Sequence, residues 1–141
     1  MPYKDKKKGI IMSLKDILSG HMRDPHGGVW VHKGWENIVI EAHGKIVEVW
    51  PDVRYIQIKE KFGGLRMYLD ATPDDVRATV SGIIHDAEAL ADRTCQECGA
   101  SGVCENDECG AQLARQRNIR GWYATLCNSC TNQAMKDRNA H

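Results

Sequence analysis

The sequence predicts an α+β fold in which a small layer of helix, β-hairpin and helix precedes a cysteine-rich C-terminal module. Three observations carry that expectation. Apolar residues recur at three- and four-residue steps over 35–50 and 76–91, they alternate on either side of Gly63–Gly64, and all six cysteines fall between Cys95 and Cys130. The 141 residues, 42% hydrophobic and 27% charged, have the composition of an ordinary globular chain. No apolar run approaches the roughly 20 residues that cross a bilayer, so no membrane partner is expected. A basic cluster of Lys4, Lys6, Lys7 and Lys8 precedes only a short apolar stretch, without a sustained hydrophobic region or cleavage site. The chain is therefore expected to stay in the cytoplasm.

The elements follow in order. Ser13 with Asp16 three residues on resembles a capping box, and Leu14, Ile17 and Leu18 give a short amphipathic helix ending at Gly20. Residues 21–34 hold three histidines, a proline and paired glycines, and read as a loop with a short strand at Val29–Val31. Trp35, Ile38, Val39, Ala42, Ile46, Val49 and Trp50 then line one face of a helix closed by Pro51. A hairpin turning at His43–Gly44 is the alternative, because Ile38, Val39 and Ile40 are β-branched.

Over Val53–Asp70 a two-residue Gly63–Gly64 turn sets Phe62 opposite Leu65, Lys61 opposite Arg66, Lys59 opposite Tyr68 and Ile58 opposite Leu69. Ile56, Ile58, Phe62, Leu65, Met67 and Leu69 then share one face with Glu60, and the polar residues with Tyr55 and Tyr68 share the other. Thr72 as N-cap and Pro73 at the first helical position open a second helix, with Val76, Val80, Ile83, Ile84, Ala87, Leu90 and Ala91 as its buried stripe, running to about Arg93. The expected organisation is a basic N-terminal segment and loop over 1–34, an α+β core over 35–94 and a separate module over 95–141.

Cys95-Gln-Glu-Cys98 and Cys127-Asn-Ser-Cys130 are two C-x-x-C pairs. A two-residue spacer lets a tight turn present two thiolates to one metal, and two such pairs complete a tetrahedron, so a structural Zn2+ is expected here. Gly99 suits the turn of a zinc knuckle, Gly121–Leu126 reads as a strand, and the residues after Cys127 read as a helix whose N-terminus favours thiolate. Knuckle, strand pair and ligand-bearing helix together resemble the treble-clef arrangement of zinc fingers. Cys104 and Cys109 are additional or alternative ligands, or free thiols of an insertion.

A catalytic zinc keeps a position open for water and commonly uses histidine or carboxylate. Four cysteines close the shell, and His21, His26, His32, His43 and His85 lie elsewhere in the chain. No phosphate loop, nucleophile elbow or His-Glu-x-x-His pair is present, so neither an enzyme nor a small-molecule substrate is expected. His21, His26 and His32 could form a second metal site, against the plainer reading of ordinary loop histidines.

The net charge is zero, 19 basic against 19 acidic side chains, which gives no general case for a nucleic-acid partner. Locally, Lys61 and Arg66 gather beside the hairpin tip with Lys59 and Tyr68, where an anionic partner would relieve the repulsion of opposed like charges. Arg115, Arg117 and Arg120 form a second basic group next to the cysteine module. These seven residues are the candidate partner-binding set.

Gly34-Trp35, the stretch Gln57–Tyr68 containing Lys-Glu-Lys-Phe-Gly-Gly-Leu-Arg, Thr94–Gly99 and Gly121–Cys127 together resemble a family of small proteins of bacteria and their phages. The similarity spans about residues 34–131 and implies zinc binding and this order of elements, but no activity. In that family the last ligand is often histidine, where this chain has Cys130, and the Cys104–Cys109 stretch is a departure. Cys95–Gly99 and Leu126–Cys130 are also locally similar to the zinc finger of the DksA/TraR transcription regulators, whose long helical hairpin has no counterpart here. The resemblance implies a phage-type protein in a bacterial host cell that binds and modulates a host protein of transcription or defence. The alternative is a nucleic-acid-binding zinc-finger module.

Overall fold

The computed structural model describes residues 4–5, 10–11, 13–25, 27–100 and 114–139. Strands β1 (Lys4–Asp5) and β2 (Ile10–Ile11) form a short antiparallel pair. Helix α1 (Leu14–Ile17) is capped by Ser13, whose Oγ accepts the Asp16 N–H at 3.2 Å, and the chain turns away at Gly20 with φ +84°. After β3 (Val29–Trp30), a single 3-10 turn at Lys33–Trp35 leads into α2 (Glu36–Val49). The helical alternative for 35–50 is therefore the one adopted. It buries a wider face than the expected stripe: Ile40 and His43 are inside, while Val49 is exposed.

The hairpin forms from β4 (Tyr55–Lys61) and β5 (Gly64–Leu69), with β3 parallel to β4 on its other side. Its register differs from expectation by one turn position. Phe62 and Gly63, both with positive φ, make the two-residue turn, so Lys61 faces Gly64, Lys59 faces Arg66 and Ile58 faces Met67. The shift moves partners by two residues and so leaves most side chains on their expected faces. Two exceptions follow. Phe62 leaves the core face for the turn, and a bulge between Tyr55 and Gln57 rotates Tyr55 from the polar face into the core, where it is fully buried.

Helix α3 (Asp74–Ala91) starts one residue later than expected, with the extended Pro73 as its N-cap and Thr72 donating instead to the Asp70 carbonyl. It buries Val80, Ile84, Ala87 and Ala91, packing against α2 and β5, while Leu90 is exposed. The helices and the β3–β4–β5 sheet thus enclose one apolar core centred on Trp35, Val39, Ile46, Ile58 and Leu65. Inside it, His43 Nδ1 lies 2.9 Å from the Tyr55 hydroxyl, and the His21 ring meets His43 edge-on at 4.7 Å.

Downstream, β6 (Arg115–Ile119) and β7 (Trp122–Leu126) form a second hairpin, followed by α4 (Asn128–Asn139). Ile119, Ala124 and Leu126 are buried there, with Trp122, Ala134 and Met135 packed against them. Among the described residues no helix is long and apolar enough to cross a membrane.

Candidate metal centre

The four cysteines arrive from three local structures. Cys95 and Cys98 flank a tight turn in which the Gly99 N–H donates to the Cys95 carbonyl and the Cys95 N–H to the Ala100 carbonyl, with Gly99 at φ +81°. That conformation suits glycine and not a residue with a Cβ. Cys127 directly follows β7, and Cys130 sits in the first turn of α4, where Thr131 bonds back to the Cys127 carbonyl through both its N–H and its hydroxyl. The Sγ atoms of all four lie within 4.8 Å of one another.

Those distances fit a metal and not a disulfide. A tetrahedron of sulfurs bound at about 2.3 Å has edges of roughly 3.8 Å, whereas a disulfide needs about 2.05 Å. Cys98 and Cys127 approach to 3.7 Å. None of the four is in a disulfide.

The thiols influence one another electrostatically. Burial pushes the Cys95 thiol up, but backbone N–H groups of Cys127, Cys98 and Glu97 outweigh it and hold its pKa below the ordinary thiol value. For Cys98 and Cys130 the direction is upward, first from burial and then from their thiol neighbours, including repulsion by a Cys95 thiolate. A divalent cation bound by all four would favour the thiolate form of each.

The site is anchored to the core through the residue between its first two cysteines. Gln96 is fully buried; its N–H and side-chain Oε1 pair with the carbonyl and N–H of Thr125, and its carbonyl accepts from Gly34. Trp35 donates its indole N–H to the Thr94 carbonyl at 2.7 Å. On the other side Thr125 donates through its hydroxyl to the Gly63 carbonyl, and Gln116 through its side-chain amide to the Phe62 carbonyl. The tip of the first hairpin is thus held against the second. Nothing in the cysteine spacing marks Gln96, but Gly34 and Trp35 already stood out in the sequence.

The partner-binding candidates divide into separate surfaces. Lys59, Lys61, Arg66 and Tyr68 share one face of the β4–β5 hairpin. Strand alternation puts Arg115 and Arg117 with Ala124 and Leu126, opposite Gln116 and Thr125, so they flank the cysteine side of β6–β7. Burial, and then the neighbouring Arg115, hold the Arg117 guanidinium below its ordinary pKa. Arg120, at φ +54°, is in the β6–β7 turn, roughly 13 Å along the strand from Gln116. His21 bonds the Val53 carbonyl and His32 pairs with Glu97 at 2.9 Å, and the only cluster of three or more ligating side chains among the described residues is the cysteine set. Cys104, Cys109 and His26 lie outside the described residues.

The fold and site define an α+β protein with a C-terminal cluster of four cysteines that could hold a metal ion. No family model, curated protein or solved structure matches the chain, so the family resemblance rests on the sequence motifs alone.

Proposed function

We propose that this is a non-enzymatic binding protein whose C-terminal module is folded around a structural zinc ion held by Cys95, Cys98, Cys127 and Cys130. The observation that carries the reading is the convergence of four thiols, from a knuckle, a strand end and a helix start, to within 4.8 Å. An all-thiolate tetrahedron suits zinc and leaves no coordination position for a reacting water. Its order of knuckle, hairpin and helix is that of a treble clef.

The action is by contact, on a macromolecule of the cell that contains it. A phage-type role in a bacterial cytoplasm, and a host protein as partner, rest on the sequence resemblance alone. The nucleic-acid alternative draws support from the grouping of basic and aromatic side chains on one sheet face.

Elemental analysis tests the metal reading. One zinc per chain is expected, retained when Cys104 and Cys109 are both replaced by serine and lost in Cys95→Ser or Cys127→Ser. Two zincs per chain in the parent protein would refute the single closed site.

A further inference from the structure

We propose that the open face of the β3–β4–β5 sheet binds single-stranded nucleic acid. Trp30 is in register beside Lys59, and Lys59 faces Arg66, so one row across all three strands carries an aromatic ring and two cations. The adjacent row, Val29, Ile58 and Met67, points into the core, which places the first row on the outside. Tyr68 lies on the same outer face on one side of this row, opposite Gln57, and Lys61 followed by Phe62 lies on the other. Trp30, Tyr68 and Phe62 are 59%, 39% and 67% exposed.

The charges on this face are available. Among the described residues Lys59, Lys61 and Arg66 have no carboxylate partner. Arg66 uses one N–H on its neighbour's carbonyl, at Leu65, and its guanidinium lies where a side chain at Gly64 would otherwise stand. Asp92 is the acid that lines the 240 Å³ cleft between Arg66 and Gln116. Phe62, the only phenylalanine of the chain, is both exposed and left-handed at φ +53°. A bulky residue gains nothing from that conformation inside the fold. Its carbonyl is used by Gln116, and the Lys61 ammonium stands 6.0 Å from its ring centroid.

Exposed rings interleaved with cations on one sheet face suit bases stacked on aromatic side chains with phosphates alongside. A duplex presents base edges and not base faces, and an acidic protein would satisfy the cations without giving the rings a common partner. This goes beyond the zinc reading, since none of the six side chains belongs to the cysteine module.

The test is fluorescence anisotropy of labelled 12-nucleotide oligo-dT and oligo-U, and of a duplex of equal length, at two salt concentrations with the zinc-loaded full chain. Single strands should bind in preference to duplex and weaken as salt rises. Trp30→Ala and Tyr68→Ala should each weaken binding by about five- to a hundredfold. Lys59→Gln combined with Arg66→Gln should flatten the salt dependence by about two phosphate contacts. Trp30→Phe keeps a stacking ring, so it should retain binding while losing most of the tryptophan quench, since Trp35 and Trp50 are buried and the half-buried Trp122 packs in the cysteine module, away from this face. Zinc content measured on the same samples registers failure of the metal reading separately. No binding at low salt, equal binding of duplex and single strand, unchanged affinity in Trp30→Ala, or loss of binding in Trp30→Phe would each overturn the proposal.

Discussion

The two halves of the molecule are held together by different means. Among the described residues, nineteen buried apolar side chains of the N-terminal part, from three helices, a sheet and their connections, form one cluster. Among those of the C-terminal part six do, two of them cysteines. Burial on the first scale can offset chain entropy, whereas a module of one short hairpin and one helix buries too little to do so. On the proposed zinc reading, sulfur ligation takes the place of the missing core. The seam through Gly34, Gln96, Thr125 and Gly63 joins the two halves, and on the same reading the second depends on its metal while the first does not.

The largest expected effect separates the halves. Structural zinc in small modules contributes on the order of 10 kcal/mol or more of apparent folding energy, so chelation should unfold β6, β7 and α4 while leaving α2, the β4–β5 hairpin and α3 protected. Hydrogen exchange resolved by residue is the measurement. Equal loss of protection in both halves would show that the core leans on the module as much as the reverse.

Gly34→Ala attacks the seam itself. A Cβ at Gly34 would lie 2.2 Å from the Cys95 carbonyl oxygen and 2.6 Å from the Gln96 carbonyl carbon, both backbone atoms that cannot step aside singly. The expected cost is about 3 kcal/mol or more, at the upper end of overpacking effects. It should appear in denaturant melts together with weakened zinc affinity. A variant as stable as the parent would mean that the knuckle docks less tightly than these distances imply.

The elements were legible in the sequence wherever a period or a spacing carried them. Helices α2 and α3, the first hairpin and the two C-x-x-C turns all belong to that group. What was not legible depended on contacts made across the chain. The register of the hairpin turned on whether Phe62 or a second glycine would take a left-handed position, and local preference favours glycine. The position of Tyr55 followed from a bulge that lets its hydroxyl reach His43, and alternation alone predicts the opposite face. Gln96 is an unmarked spacer residue until Thr125, 29 positions later, is placed against it. The outer row through Trp30 needed the parallel pairing of a two-residue strand, too short for any periodicity to mark.

The buried histidine supplies a probe confined to the first half. Burial, and secondarily repulsion from His21, lowers the pKa of His43 to about 4. The unfolded chain, with an ordinary value of 6.5, therefore binds more protons between these limits, and stability falls as pH drops from about 6.5 towards 4. The full effect is about 3 kcal/mol, complete near pH 4 and absent above neutrality. Thiolates also take up protons on acidification and release metal, which would blur the signal. His43→Gln keeps a polar partner for the Tyr55 hydroxyl and should remove the core's share of the acid sensitivity while leaving the metal-dependent share. Parallel pH profiles for parent and variant would assign the acid loss to the module alone.

The smallest expected effect lies where the halves meet. Phe62 holds a left-handed conformation that costs an ordinary L-residue roughly 1–2 kcal/mol, and asparagine tolerates it better. Phe62→Asn should therefore raise stability by about 0.5–1 kcal/mol, because the ring that is lost is exposed and only the carbonyl, kept in the variant, is bonded to Gln116. The same change removes one of the three rings from the outer face. Melting temperature and single-strand affinity should then move in opposite directions, the first up and the second down. If both fell, the ring would be packing on the seam as a structural wedge. If stability rose with affinity unchanged, Phe62 would be a strained turn residue without a ligand, and the stacking role would fall to Trp30 and Tyr68.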